Sequence, residues 1–399
     1  MRKCLAVLAA SFVAFVSADT ASAIPAFGQR YKVDCHMCHQ GFPKLNKTGQ
    51  AFKERGFRLE NEDPFKVQDW VDSIPVRVRA SANHYFFEGG DSFNYGYIKA
   101  VSAGNLGSRL SYWGDVALLL DDDKNNDVVQ EPDNLWARVE VVKGGKLYVR
   151  GGRMELDLPF TQARTPNLFS YGIYFANTGV ENDSIASYQH GLELGGSLSE
   201  DTIHWSAAVV GGAEDDAGKA LDSDAGKFEG NVFLRVARRG DNHRFGAFSY
   251  IGRNTLAAPR SGLAGAATWK DNLLRVGADA DLWFSKLNVY GAYLYGRNSD
   301  SQRGGGGPSA NFHGGFVQAD YHAVEKEVSG FLKEIAVAFT LRANRESRPT
   351  NVLTLKETFS GFNPGVRVHL RERFRMVFEY GFQGQKRADQ GAVQAELVF

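Results

Sequence analysis

Cys35-His36-Met37-Cys38-His39 is the cluster whose residue types and spacing could carry redox chemistry. The pattern C-x-x-C-H is that of c-type haem attachment. At this spacing two thiols, Cys35 and Cys38, can form thioethers with the haem vinyl groups, while the adjacent imidazole of His39 becomes an axial iron ligand. Other chemistries use similar residues. A plain disulfide suits an oxidising compartment but leaves the neighbouring His39 without a role. A thioredoxin-type dithiol wants a βαβ setting, and the surrounding sequence has none. A zinc site needs a second Cys/His cluster at finger-like spacing, and none follows. One covalently attached haem c is the reading that uses every residue of the motif.

A short helix is expected to hold this motif in place. Asn46 is a good N-cap, the helix should run to about Arg55, and Gly56 suits its stop. Phe42, Leu45 and Phe52 are expected on one helical side, where they could cover a porphyrin face. Between Ile24 and Leu59 the bases Arg30, Lys32, Lys44, Lys47, Lys53, Arg55 and Arg58 outnumber Asp34 and Glu54. They could pair with haem propionates or form a charged surface facing solvent or a lumen.

The chain start reads as an export signal: Arg2 and Lys3, the apolar stretch Leu5 to Val16, then Ala21-Ser22-Ala23 before Ile24. Cleavage there leaves Cys35 and Cys38 as the only cysteines. Across 399 residues, 46 Lys+Arg balance 46 Asp+Glu, which speaks against a general nucleic-acid binder. No stretch after residue 23 approaches the roughly 20 apolar residues of a spanning helix. With 44 glycines, 28 phenylalanines, 15 tyrosines and only 4 methionines, the composition is that of a many-stranded β protein.

From about Ser73 the pattern is period two. Leu274, Val276, Ala278, Ala280 and Leu282 oppose Arg275, Gly277, Asp279 and Asp281. Val76, Val78, Ala80 and Ala82 oppose Arg77, Arg79, Ser81 and Asn83, and Val366, Val368 and Leu370 oppose Arg367, His369 and Arg371. A wall between lipid and a polar lumen demands this alternation, although a soluble sandwich shows it too. Val393, Ala395, Leu397 and Phe399 continue it to a terminal aromatic, as is common in outer-membrane barrels. Short turns near 104–107, 143–146, 200–202, 240–242, 285–286 and 371–373, with a looser one at 323–330, alternate with longer breaks. Those breaks fall at 89–92, 121–133, 155–186, 213–227, 254–271, 298–310, 344–362 and 384–390. The fold class is therefore all-β: a transmembrane antiparallel barrel of about 16 strands (14–18), with an N-terminal α-helical monohaem cytochrome c segment as plug. The expected division is a signal over 1–23, the haem segment and linker over 24–72, and the barrel over 73–399.

The run Pro25-Ala26-Phe27, Cys35-x-x-Cys38-His39, then Phe42-Pro43-x-Leu45-Asn46-x-x-Gly49-x-x-Phe52-Lys53-x-x-Gly56-Phe57 resembles the fused monohaem cytochrome–porins of the outer membrane. It departs from them at Thr48, where an aromatic is expected, and at Gly28-Gln29-Arg30. The resemblance implies an electron conduit from extracellular Fe(II) to periplasmic c-type cytochromes or other redox carriers, embedded in outer-membrane lipid by the barrel-assembly machinery. Other readings are an ordinary solute-conducting porin with a cysteine-bearing periplasmic appendage, the same conduit run outward, and a soluble periplasmic cytochrome. For the sixth iron ligand, Met154 is the candidate, since its parity with Tyr148, Arg150 and Gly152 points it inward. His204 and His369 share inward parity, while Met376, His84 and His190 fall on outward faces. Acidic stretches at 121–133 and 213–227 could attract divalent cations weakly or serve only solubility.

Overall fold

A computed structural model describes residues 27, 31, 33, 37–39, 44–59, 76–87, 90–120, 132–161, 167–169, 171–177, 182–199, 201–211, 230–256, 269–299, 309–327, 334–349, 356–370, 374–383 and 389–398. The signal region, Cys35, Phe42, Phe399 and most of both acidic loops lie outside the described residues. Helix α1 (Lys47–Glu54) comes first. The strands follow as β1 (Val76–Phe87), β2 (Gly90–Asn105), β3 (Leu110–Leu120), β4 (Asn134–Val142) and β5 (Leu147–Met154). After a small hairpin, β6 (Phe175–Asn177) and β7 (Asn182–Ser184), come β8 (Gln189–Leu198), β9 (Ile203–Val210), β10 (Asn231–Arg239), β11 (His243–Leu256) and β12 (Trp269–Phe284). The chain continues through β13 (Leu287–Asn298), β14 (Ala310–Glu327), β15 (Glu334–Pro349), β16 (Lys356–Leu370), β17 (Phe374–Gln383) and β18 (Gln390–Val398).

Sixteen of these strands close into one antiparallel barrel, each beside its neighbour in sequence except that β5 pairs with β8 and β1 closes on β18. Closure pairs every strand on both sides, which removes the edges that lipid could not satisfy. The alternation read from sequence is kept in space. Leu192 (63% exposed), Val317 (59%) and Leu135 (58%) point outward, whereas Arg235, Asp279, Gln318 and Arg367 are buried inside. An outward band of Val, Leu, Phe and Tyr is the surface expected to face lipid. Among the described residues no helix is long and apolar enough to cross a membrane.

Seven short connections lie at the end of the barrel where β1 begins and β18 ends, and one of them shows its chemistry plainly. In the 143–146 turn Gly144 and Gly145 take φ of 76° and 73°, the left-handed pair that a tight hairpin requires. Three sequence expectations need correction. β15 and β16 are long, so the break expected at 344–362 shrinks to 350–355. Only residues 88–89 separate β1 from β2. The described residues of 155–186, a stretch expected as an outer loop, turn into the lumen. Leu156, Leu158, Phe160, Tyr171, Ile173 and Tyr174 are each at most 6% exposed, packed with the wall residues Tyr290, Phe316 and Phe248. Apolar side chains of that number gain more by burial inside the barrel than they would in water.

Candidate functional site

Asn46 ties the motif to α1. Its side-chain oxygen accepts from Gly49 N at 2.9 Å, capping the helix, while its backbone N–H donates to Cys38 O at 2.9 Å. Its amide nitrogen donates to Met37 O at 3.1 Å. One residue thus grips both the helix start and the second half of the C-x-x-C-H turn. Gly49 completes the grip, because a Cβ there would collide with the Cys38 carbonyl and crowd Leu45. His39 pairs with Leu45 in a short antiparallel bridge. Cys38 is a free, partly exposed thiol, and burial pushes its pKa up. That shift is opposite to the thiolate-stabilising environment of a thioredoxin-type nucleophile.

Gly49→Ala should therefore disturb the C-x-x-C-H turn by roughly 1–3 kcal/mol, the cost of overpacking a filled contact. The thermal unfolding midpoint, together with protease cleavage near residue 38, checks this. A midpoint and cleavage equal to wild type would show that the Cys38–Gly49 contact is dispensable.

The helix ends at Gly56 (φ 65°) and Phe57 (φ 63°). Gly56 was legible as a stop. The left-handed Phe57 was not, and such a conformation costs a non-glycine residue roughly 1–2 kcal/mol. Neighbouring contacts hold it there. The Phe57 carbonyl accepts from Tyr31 Oη at 2.8 Å and from Asn105 Nδ2 at 2.7 Å. Its ring stacks on Phe27 at 5.0 Å and meets Trp136 at 6.0 Å and Trp113 at 5.9 Å. Phe52 joins the same cluster through Phe27 and Tyr31. The expected face of Phe42, Leu45 and Phe52 does not form on one helix. Leu45 precedes α1, Phe52 turns to the aromatic cluster, and Phe42 lies outside the described residues.

The basic residues of the segment bind the barrel. Lys44 is buried against Asp281 at 3.2 Å, bonded to Asn288 and 3.4 Å from the centre of the Tyr290 ring. Lys47 meets Asp241 at 2.6 Å, Lys53 meets Asp157 at 3.8 Å, Arg55 meets Asp201 at 2.6 Å and Arg58 meets Glu140 at 3.2 Å. Five of the seven bases thus pair with barrel or loop carboxylates, so of the two alternatives read from sequence these five form a charged surface against the barrel. Arg30 and Lys32 lie outside the described residues. From the wall, Arg138 donates to the carbonyls of Lys53 and Glu54, and Gly145 leaves room for the end of α1. Residues 44–58 sit in the mouth of the barrel at its short-turn end.

Sequence reasoning missed a charge centre beneath α1. Glu54 is bonded to Arg239, and His204 lies between it (4.0 Å) and Asp157 (3.4 Å). Burial raises the Glu54 pKa, but His204, Arg239 and Arg244 outweigh it and hold the carboxyl below its usual range. Asp157, also buried, is held well below by its bond to His204 and by Lys53 and Arg235. A depressed carboxylate stabilises at pH above its unfolded pKa and loses that contribution as pH falls through its folded value. Protease sensitivity of residues 44–59 should therefore stay flat from about pH 8 to pH 5 and rise only below about pH 4. Release of the segment already at pH 6 would contradict this.

The remaining candidates separate by face. Met154 is fully buried at the loop end of β5, in one apolar cluster with Phe52, Phe57 and Trp136. His204 is inward but engaged with carboxylates, while His190 is exposed on the outer face. His84 is 3.0 Å from Asp91, near the opening formed by β1 and β2. Among the described residues no group of three or more His, Cys, Asp or Glu is placed to hold a metal ion.

The closed antiparallel barrel of sixteen strands has a fold similar to that of outer-membrane porins. The chain is similar to an anion-selective porin from Comamonas acidovorans, at a TM-score of 0.57 and 13% identity, covering 82% of this chain and 99% of that one. Salmonella typhi OmpF matches with a TM-score of 0.57 and 13% identity over 82% and 97% of the two chains. OmpT of Vibrio cholerae, in a loop-deletion form, matches with a TM-score of 0.55 and 10% identity over 82% and 99%. At these identities the likeness is one of fold. No family model and no curated protein matches the chain.

Proposed function

We propose that this chain is an outer-membrane electron conduit: a porin-fold barrel whose short-turn mouth carries one covalently bound haem c. Cys35 and Cys38 would hold the haem by thioethers and His39 would ligate its iron. Met154, a buried thioether, is the candidate for the sixth position. Bound there, the haem supplies one-electron redox chemistry.

The observation that carries this reading is the grip of Asn46 and Gly49 on the Cys38 turn, continued by buried ion pairs from Lys44 and Glu54 into the barrel wall. A cysteine-bearing appendage with no role inside the barrel would not need to lock its motif to a helix and that helix to the lumen. The donor set fits the group as well. A partly buried thiol, a neighbouring imidazole and the aromatic cluster of Phe27, Tyr31, Phe52 and Phe57 stand in one mouth.

The chain's own residues would divide the work. Outward Val, Leu and Phe side chains seat the barrel in the outer-membrane bilayer, after the barrel-assembly machinery inserts it. Packed lumen residues exclude water and ions: Arg235, Gln318, Asp320 and Arg367 face inward yet are at most 3% exposed. A water-filled solute channel would leave such side chains wet, so this packing weighs against an ordinary porin. The electron source we favour is extracellular Fe(II), each ion giving up one electron and becoming Fe(III), with periplasmic c-type cytochromes or similar carriers as acceptors. An absorption spectrum of the purified protein with and without Fe(II) tests the reading. A reduced haem spectrum on Fe(II) addition is expected, and a haem that Fe(II) leaves oxidised would overturn the donor assignment.

A further inference from the structure

On the face turned away from the lumen, three strands repeat one pattern. The outward positions of β11 run Phe245, Ala247, Ser249, Ile251 and then Arg253. On β13 they run Val289, Gly291, Tyr293, Tyr295 and then Arg297. On β15 they run Phe339, Leu341, Ala343 and then Arg345. Each arginine is the first outward residue past the apolar band, toward the end of the barrel with the long connections. On β13 that band, from Leu287 to Tyr295, covers roughly 20–25 Å of depth in a tilted strand, the height of a lipid-facing belt. All three arginines are exposed, and among the described residues none pairs with a carboxylate. The Arg253 guanidinium reaches only the side-chain oxygen of Asn272, at 2.9 Å. The strands around them add no opposing charge, because among the described residues no Asp or Glu holds an outward position on β11 to β16. Acids of these strands such as Asp271, Asp279, Asp281 and Asp320 are buried on the inner face. The register joins the group: Arg297 lies opposite Leu274, next but one to Asn272, and Gly315 lies opposite both Tyr293 and Arg345. With no side chain at Gly315, the ground between that ring and that guanidinium is open. At the short-turn end β11, β12 and β13 present His243, Phe284 and Leu287 outward instead.

We infer that Arg253, Arg297 and Arg345 form a binding site for the phosphate groups of outer-leaflet lipid. Outer-membrane barrels carry their long connections on the outside, so this edge of the band meets the outer leaflet. Where the apolar band stops, a lipid presents its headgroup. Phosphate is the group at that level which a guanidinium fork grips with two parallel N–H bonds, and the repeated choice of arginine suits it. Tyr293 and Tyr295, just inside Arg297, are the amphipathic rings that settle at headgroup depth. The arginines stand on the outward wall, continuous with the lipid-facing side chains, and that position favours a lipid over a soluble acidic protein. The site is independent of what the C-x-x-C-H motif holds.

Purified full-length protein in detergent, titrated with bis-phosphorylated lipid A and with the same lipid stripped of its phosphates, tests this. Native mass spectrometry counts the lipid bound. Saturable binding of the phosphorylated lipid is expected, with the stripped lipid about tenfold or more weaker. Combined Arg253→Gln, Arg297→Gln and Arg345→Gln should weaken the phosphorylated lipid about tenfold or more and leave the stripped lipid as it was. Arg238→Gln, at an exposed outward position near the short-turn end of β10, should change neither. The matching triple lysine variant keeps the charge and loses the fork, so its binding should fall between wild type and the glutamine variant. A general folding defect would instead lower both lipids together, and the lysine variant then decides: binding restored by charge supports the site, and binding still absent overturns it. Equal affinity for the two lipids, or equal binding by wild type and the glutamine variant, would overturn the inference. So would displacement of the lipid by inorganic phosphate at equal concentration, which would assign the arginines to free phosphate ions.

Discussion

Cys35→Ala/Cys38→Ala protein is expected to reach the membrane as a folded barrel and to carry no covalent haem. Wild type should show a peroxidase-stained band on denaturing gels at the size of the processed chain, and the double variant none. The loss should be complete, because both thioethers are removed and a single axial histidine does not survive denaturation. The fold should persist because the described strands take no support from Cys38 itself. Residues 44–58 hold the wall through Lys44, Glu54, Arg55 and Arg58 instead. Single variants should lie between these limits, with one thioether retained. A stained band in the double variant, or a colourless wild type, would remove haem attachment from the function of this motif.

Removing residues 27–59 together with the inward stretch 155–186, bridged by a short linker, while keeping the signal and the sixteen barrel strands, should turn a nearly silent barrel into a conducting one. A sixteen-stranded barrel is wide enough to leave an aqueous lumen when nothing fills it. Here the segment sits in the short-turn mouth, and the inward stretch beginning at Glu155 packs in the lumen. Deleting the segment uncovers Asp281, Glu140, Asp201 and Arg239, four charged groups that would then draw water and ions into the mouth. Conductance in planar bilayers should rise by roughly fivefold or more over wild type. Equal, large conductance for both proteins would mean that the lumen is open around the segment and would revive the solute-porin reading.

Much of the barrel is written locally. Alternation such as Leu274 to Leu282 depends only on which side chains face lipid, and the Gly144-Gly145 turn only on backbone sterics, so both are legible residue by residue. The Asn46 cap and Gly56 stop are equally local. What could not be read depends on partners far away in the chain. Lys44 finds Asp281 across 237 positions and Arg239 finds Glu54 across 185, and charge alone does not reveal such matches. The same limit misplaced the 155–186 stretch. Its apolar residues look like pieces of strand, and only the presence of a lumen with Tyr290 and Phe316 on its wall gives them an inner surface to cover. Inward parity correctly marked Met154 and His204, yet parity cannot say that one joins an apolar cluster and the other a pair of carboxylates.

Proteoliposomes enclosing a membrane-impermeant electron acceptor test the central claim most directly. The protein is inserted with its long loops outward, and Fe(II) is added only outside. The electron-conduit account expects the haem to be reduced first and the enclosed acceptor next, one electron per Fe(II) oxidised, with both signals absent in His39→Ala. Reduction of the haem only after the bilayer is broken by detergent, with the enclosed acceptor untouched before that, would contradict it.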